Sequence, residues 1–198
     1  MTDLFPGTIA SFNFDTSSST VSSSQYHLTS QYYDICIRRA RSYCSICYSP
    51  EIYSTTTVNS FGLSAGSVAA TQTAAIGSWC TGLTTLSTTA ASNAGFGDYL
   101  DIVALQTASG TSGLISTATY NRICGAFFSI SPTTGTSTLC SFAVPFKVGV
   151  HFDADDAICT PPTASAARDS CENDPAVAPV GAGYGYSGFY LAYWQNSC

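Results

Sequence analysis

Between residues 146 and 153 apolar and polar side chains alternate without a break: Phe146, Val148, Val150 and Phe152 are interleaved with Lys147, Gly149, His151 and Asp153. A period of two sets the first group against a core and the second toward solvent, so the segment reads as a strand with one wet face and His151 pointing outward. Other segments carry β-branched and aromatic residues at strand density: TIASFNF (8–14), YDICIRR (33–39), YCSICYS (43–49), DYLDIVAL (98–105), ICGAFFSI (123–130) and FYLAYWQ (189–195). Ser, Thr, Gly and Pro accumulate between them in stretches that read as turns and long loops. Helical periodicity is weak throughout, and the pattern predicts an all-β, two-layer antiparallel β-sandwich of jelly-roll-like form.

In the last segment Phe189, Leu191 and Tyr193 share one face, while Tyr190, Ala192 and Trp194 share the other. The second face is either covered by a loop or left as an exposed aromatic strip. Residues 54–93 and 107–119 are Ser/Thr/Ala/Gly-rich and lack the charge and proline of a disordered linker, so they read as ordered excursions within one domain spanning residues 1–198. A chain of 198 residues is long enough to bury a substantial core.

Only 9% of the residues are charged, and serine and threonine supply the surface polarity instead. With 12 acidic against 6 basic side chains and a net charge of −6, the chain cannot line a groove for phosphate neutralisation, which disfavours nucleic acid and anionic membranes as partners. No apolar run is long enough for a membrane span. The opening MTDLFPGTIASFNF lacks the basic and apolar regions of a signal peptide. Nine cysteines in a lysine-poor, hydroxyl-rich chain nevertheless point to an oxidising compartment, and secretion is the expectation.

Groups suited to catalysis are few, since His27 and His151 are the two histidines. Gly62-Leu63-Ser64-Ala65-Gly66 matches the G-x-S-x-G nucleophile elbow, with Asp101 and His151 following in hydrolase order, but the helix that the elbow requires has no periodic signal behind it. Cys44-Ser45-Ile46-Cys47 is a C-x-x-C lying in a strand pattern, where odd spacing puts the thiols on opposite faces, so two separate disulfides are expected. Acids gather at Asp98 and Asp101 and again at Asp153, Asp155 and Asp156, either as a solvated rim or as a calcium site. Arg38, Arg39 and Arg41 hold half of the basic charge where a hairpin between Tyr33 and Tyr48 should turn, and read as a solvated turn or a dock for an acidic partner or sulfated glycan.

The order of these segments resembles a CUB domain, in particular the long CUB-like domains of secreted arthropod proteins. The resemblance is carried by GTIASFNFD, YDICIRR with YCSICY, GDYLDI, NRICGAFFS with a later cysteine, FKVGVHFDADD and SGFYLAYWQNSC, and it spans the chain. It implies a jelly-roll-type sandwich and a non-enzymatic extracellular module that binds a protein or glycan. The rival expectation is a structural subunit that self-associates into a homopolymeric fibre or matrix, O-glycosylated along runs such as 129–138 and 160–165.

The resemblance also implies a disulfide between Cys124 and Cys140. Around it we expect Cys36 with Cys44, Cys47 with Cys80, and Cys159 with Cys171, although these cysteines can exchange partners without offending the sequence. Cys198 is then left unpaired or intermolecular. The chain departs from the arthropod-type pattern at Cys44-Ser45, where adjacent cysteines are usual, and at Tyr190, where that pattern has a cysteine. Of the family's calcium ligands, Asp98 matches one position and Asp153 or Asp155 another, with no glutamate to complete the set. No other cofactor is implied.

Overall fold

The computed structural model describes residues 4–16, 27–51, 60–63, 74–76, 98–107, 120–125, 128–129, 137–153 and 188–198, and within them all regular structure is β. In chain order the strands are β1 (Leu4–Ala10), β2 (Gln31–Ile37), β3 (Tyr43–Pro50), β4 (Phe61–Gly62), β5 (Ala74–Ile76), β6 (Tyr99–Thr107), β7 (Tyr120–Gly125), β8 (Leu139–Ser141), β9 (Phe146–Phe152) and β10 (Gly188–Ser197). Every pairing is antiparallel. One layer runs β1-β10-β3-β8 and the other β2-β9-β6-β7-β5, with β4 added to the start of β10.

Strand β6 belongs to both layers. Its first residues pair with β9 and β7, whereas Gln106 and Thr107 pair with β8. The switch falls at Ala104, whose φ of 56° lies in the left-handed region and whose amide donates to the Asn121 side chain at 3.0 Å. Such an irregularity turns a corner between packed sheets. The sandwich is therefore joined along the β6 side, while β1 and β2 form the free margins of the two layers on the opposite side.

The alternating pattern is realised in the core. Val148, Val150 and Phe152 of β9 meet Leu100 and Ile102 of β6, Ile46 and Tyr48 of β3, and Phe189 and Leu191 of β10 in one buried cluster. Truncating such a side chain to alanine costs about 2–5 kcal/mol. Two glycines are set by close approach. A Cβ on Gly7 would collide with the Tyr193 ring across the β1–β10 pair, and Gly188, at φ +89°, has no room beside Ser11 and His27. The Ser11 hydroxyl accepts the Phe189 amide, ending β1 four residues before the hydrophobic pattern does.

Two expectations about connectivity are corrected. The segment carrying Arg38, Arg39 and Arg41 is not a hairpin turn, because β2 pairs with β9 and β3 pairs with β10 and β8, so the chain crosses there from one layer to the other. The cysteines follow that topology. Cys47 stands directly opposite Cys140 in the β3–β8 ladder and bonds to it, which rules out Cys124 with Cys140 and Cys47 with Cys80. Cys44 bonds to Cys198, so Cys198 is not free, and Cys36 is an exposed free thiol on the other layer. The two thiols of the C-x-x-C do serve different disulfides. Cys124 is itself disulfide-bonded, and Cys80, Cys159 and Cys171 lie outside the described residues. The two described bridges span 154 and 93 residues, and loop-closure entropy makes each worth about 4–5 kcal/mol.

Candidate functional site

The outer face of the β2-β9-β6-β7 layer gathers the polar halves of four alternating strands. Register places Tyr32 and Asp34 of β2 opposite His151 and Gly149 of β9, Tyr99 and Asp101 of β6 opposite the same two residues, and Arg122 of β7 opposite Asp101. The His151 ring lies 4.5 Å from Tyr99 at 13°, a parallel stack, and meets Tyr32 edge-on at 5.6 Å. The Arg122 guanidinium covers the other face of Tyr99 at 4.5 Å, completing a row from Arg122 through Tyr99 and His151 to Tyr32. Tyr32 is 67% exposed at the end of that row.

Beside the row, Gly149 is closely flanked by side chains of three residues. A Cβ there would sit 3.2 Å from Asp101 Cβ, 3.4 Å from Asp34 Oδ1 and 3.4 Å from His151 Nε2. Asp34 also pairs with Lys147 Nζ at 3.3 Å, an exposed pair contributing less than about 1 kcal/mol. Desolvation between the flanking rings lowers the His151 pKa, and Arg122 and Lys147 act in the same direction against the opposing pull of Asp101 and Asp34. The neutral ring is thereby favoured near pH 7.

A second cluster is a buried pair, His27 with Asp98. His27 Nε2 sits 3.0 Å from Asp98 Oδ2 and 3.1 Å from the Leu63 carbonyl, with Nδ1 3.4 Å from the Leu28 carbonyl. Both ring nitrogens thus face oxygen acceptors, the arrangement that a doubly protonated imidazolium satisfies. Asp98 Oδ2 accepts no directed hydrogen bond, so its contact with the ring is one of charge, while Oδ1 accepts the Asp153 amide at 2.7 Å. The Phe152 ring packs 4.3 Å from the imidazole and seals the pair from water.

This geometry tests the calcium expectation. A hard dication needs a shell of oxygens, yet the Asp98 carboxylate is already engaged by the imidazole on one side and by a main-chain amide on the other. Among the described residues no three His, Cys, Asp or Glu side chains converge as metal ligands, and Asp155 lies outside those residues. Asp98 and Asp153 are brought together, but as a carboxylate and a main-chain donor. No third carboxylate joins them among the described residues.

The hydrolase elbow finds no support in its surroundings. Gly62 lies in β4, paired antiparallel with β10, and Leu63 is buried in the core, whereas Asp101 and His151 face outward on the far side of a sheet. Ser64 lies outside the described residues. On β10, the second face of the last strand is half-buried at Tyr190, Ala192 and Trp194, and Tyr190 packs 5.9 Å from Phe14. Of the row on the outer face, the sequence points to His151 alone, because parity within a strand gives a residue's direction but not its neighbours on other strands.

A family model for the animal CUB domain matches residues 5–196. No curated protein and no solved structure gives a match. The match covers nearly the whole chain, and the antiparallel sandwich joined through β6 agrees with it. This chain belongs to the animal CUB-domain family.

Proposed function

We propose that this CUB domain is a non-enzymatic extracellular module that binds a protein partner through the outer face of the β2-β9-β6-β7 layer. The observation that carries this reading is the row Arg122–Tyr99–His151–Tyr32. Tyrosine and arginine are enriched among the residues that dominate interface energetics, and here the Arg122 guanidinium is already held over Tyr99. The stacking also favours protein over glycan. A sugar packs on an open aromatic face, but here Tyr99 is covered by the His151 ring and the Arg122 guanidinium. Asp34 and Asp101 flank Gly149 beside the row and offer carboxylates to basic side chains of the partner. Formed disulfides fit an oxidising, extracellular setting.

The test is retention of extracellular proteins on the immobilised domain, alongside binding to a glycan array. The expected result is a retained protein whose affinity drops at least tenfold in Tyr32→Ala and Tyr99→Ala variants with unchanged thermal unfolding. Retention indifferent to both substitutions, or saturable glycan binding in its place, overturns the reading.

The alternative of a self-assembling structural subunit draws on a different surface. Val103, Phe142 and Val144 are 51%, 50% and 55% exposed around the Ser141 hydroxyl, which donates to the Val103 carbonyl at 2.5 Å. Copies packed through this apolar patch would build a matrix without the Cys198 link, since Cys198 is bonded to Cys44. Concentration-dependent sedimentation, with and without reductant, distinguishes the two. A monomer throughout removes the alternative, and a Phe142→Asp variant that disperses an oligomer supports it.

A further inference from the structure

The free margins β1 and β2 leave a cleft of about 840 Å³ between the layers, open on the side opposite β6. Its apolar lining comes from Ile9 of β1, Ile35 and Ile37 of β2, and Tyr193 of β10. Along one wall runs the crossover that carries Arg38, Arg39 and Arg41, all three exposed. The volume falls in the range of preformed ligand sites.

The arginine segment is a built structure. The side chain of Gln195, only 3% exposed, reaches from β10 to hold it twice, with Oε1 accepting the Ala40 amide at 2.8 Å and Nε2 donating to the Arg38 carbonyl at 3.0 Å. The Tyr43 amide donates to the Ala40 carbonyl at 3.3 Å, and the Cys198 amide to the Ser42 carbonyl at 3.0 Å, beside the Cys44–Cys198 bridge. The backbone is thereby fixed at both ends, so binding has to order the arginine side chains but not the segment that carries them. Yet no carboxylate answers them: the ion pairs among the described residues are His27 with Asp98 and Lys147 with Asp34. In a chain with 12 acids and 6 bases, half of the basic charge is gathered here, none of it in an ion pair among the described residues.

We propose that this cleft docks an extended acidic peptide segment of a partner protein, with one apolar side chain on the isoleucine and Tyr193 lining and consecutive carboxylates on Arg38, Arg39 and Arg41. Charge complementarity and the apolar lining together select this occupant. A fatty acid brings one carboxylate to three guanidiniums, and a sulfated glycan has no use for an aliphatic lining. Backbone pairing falls to β2, whose only strand partner among the described residues is β9, because Pro6 deprives the β1 margin of a donor. None of these residues belongs to the outer-face row, so the inference stands apart from that reading.

The probe is a fluorescein-labelled synthetic peptide bearing an Ile-Leu pair followed by a run of glutamates, titrated by fluorescence anisotropy. Saturable binding is expected, weakening with added salt and falling on the order of 100-fold in the Arg38→Glu/Arg39→Glu/Arg41→Glu variant, since like charges then face each other. Ile35→Ala should cost about tenfold through lost apolar contact. The peptide should also slow the reaction of the Cys36 thiol, at the lip of the cleft, with a disulfide reagent. Tyr99→Ala and Arg122→Ala should leave its affinity unchanged. The proposal is overturned by no saturation up to millimolar protein, by equal binding of a lysine-for-glutamate peptide, by insensitivity to the triple reversal, or by displacement with laurate or a heparin hexasaccharide at lower concentration than unlabelled peptide.

Discussion

Replacing His27 by glutamine removes the imidazole from a fully enclosed pair while keeping a donor for the Leu63 carbonyl. Asp98 is completely buried, its Oδ2 faces the imidazole at 3.0 Å, and Oδ1 is committed to the Asp153 amide. With the ring gone, a carboxylate is left in the interior with no opposite charge. Breaking a buried pair in this way costs about 3–5 kcal/mol, a large share of the roughly 5–15 kcal/mol that holds a domain folded. For a chain of this size each kcal/mol shifts the midpoint by about 2–4 °C, so the melting temperature should drop by roughly 6–20 °C. The loss should persist in high salt, because the pair is shielded from screening ions. Adding Asp98→Asn to His27→Gln should recover part of the loss, with a coupling of about 1–3 kcal/mol in the double-mutant cycle. Thermal unfolding followed by circular dichroism measures all three variants. A His27→Gln protein within about 1 kcal/mol of the parent, or strictly additive substitutions, would refute the reasoning.

Four further outcomes are expected. Tyr48 is fully buried with no partner for its hydroxyl, and burial pushes its pKa far up, so Tyr48→Phe should stabilise the fold by about 1 kcal/mol in urea unfolding; destabilisation would mean the hydroxyl is satisfied. Because the folded His151 titrates below its ordinary 6.5, the unfolded chain binds more protons in that window. The stability this residue supplies is therefore complete above 6.5 and lost as the pH falls from there toward the folded pKa, and His151→Asn should flatten that part of the denaturation profile. Millimolar calcium or a chelator should leave the melting temperature unchanged, and a clear rise with calcium would contradict the reading of Asp98 as the partner of His27. Peptide mapping without reductant should recover Cys198 joined to Cys44 and Cys140 joined to Cys47; a Cys124–Cys140 peptide would contradict the described topology.

What was legible in the chain was whatever one strand encodes by itself. The alternation from Phe146 to Phe152 names the buried side chains of β9 and the outward position of His151, because parity along a strand is a local property. Lateral choices are not local. The segment from Tyr33 to Tyr48 has the look of a hairpin, yet its two strands pair in different layers, and that choice is made by β9, β10 and β8, which come much later in the sequence. The misassigned disulfides have the same origin, since Cys47 meets Cys140 only once β8 is known to lie beside β3. Strand β8 is just three residues long, too short to announce itself by periodicity. The pairing of His27 with Asp98 and the row through Tyr99 and Tyr32 likewise join residues from separate strands and loops. No spacing within one segment signals either of them.

The central claim is that a protein partner sits on the outer face of the β2-β9-β6-β7 layer. Its most direct test places a photo-crosslinking residue at Lys147, beside the row and half exposed, and a second one at Phe142 on the β8 side, then irradiates each protein in its native extracellular fluid. The account predicts a discrete protein adduct from position 147 that is lost on Tyr32→Ala, with none from position 142. An adduct formed only at 142, or one at 147 that is indifferent to Tyr32, would contradict it.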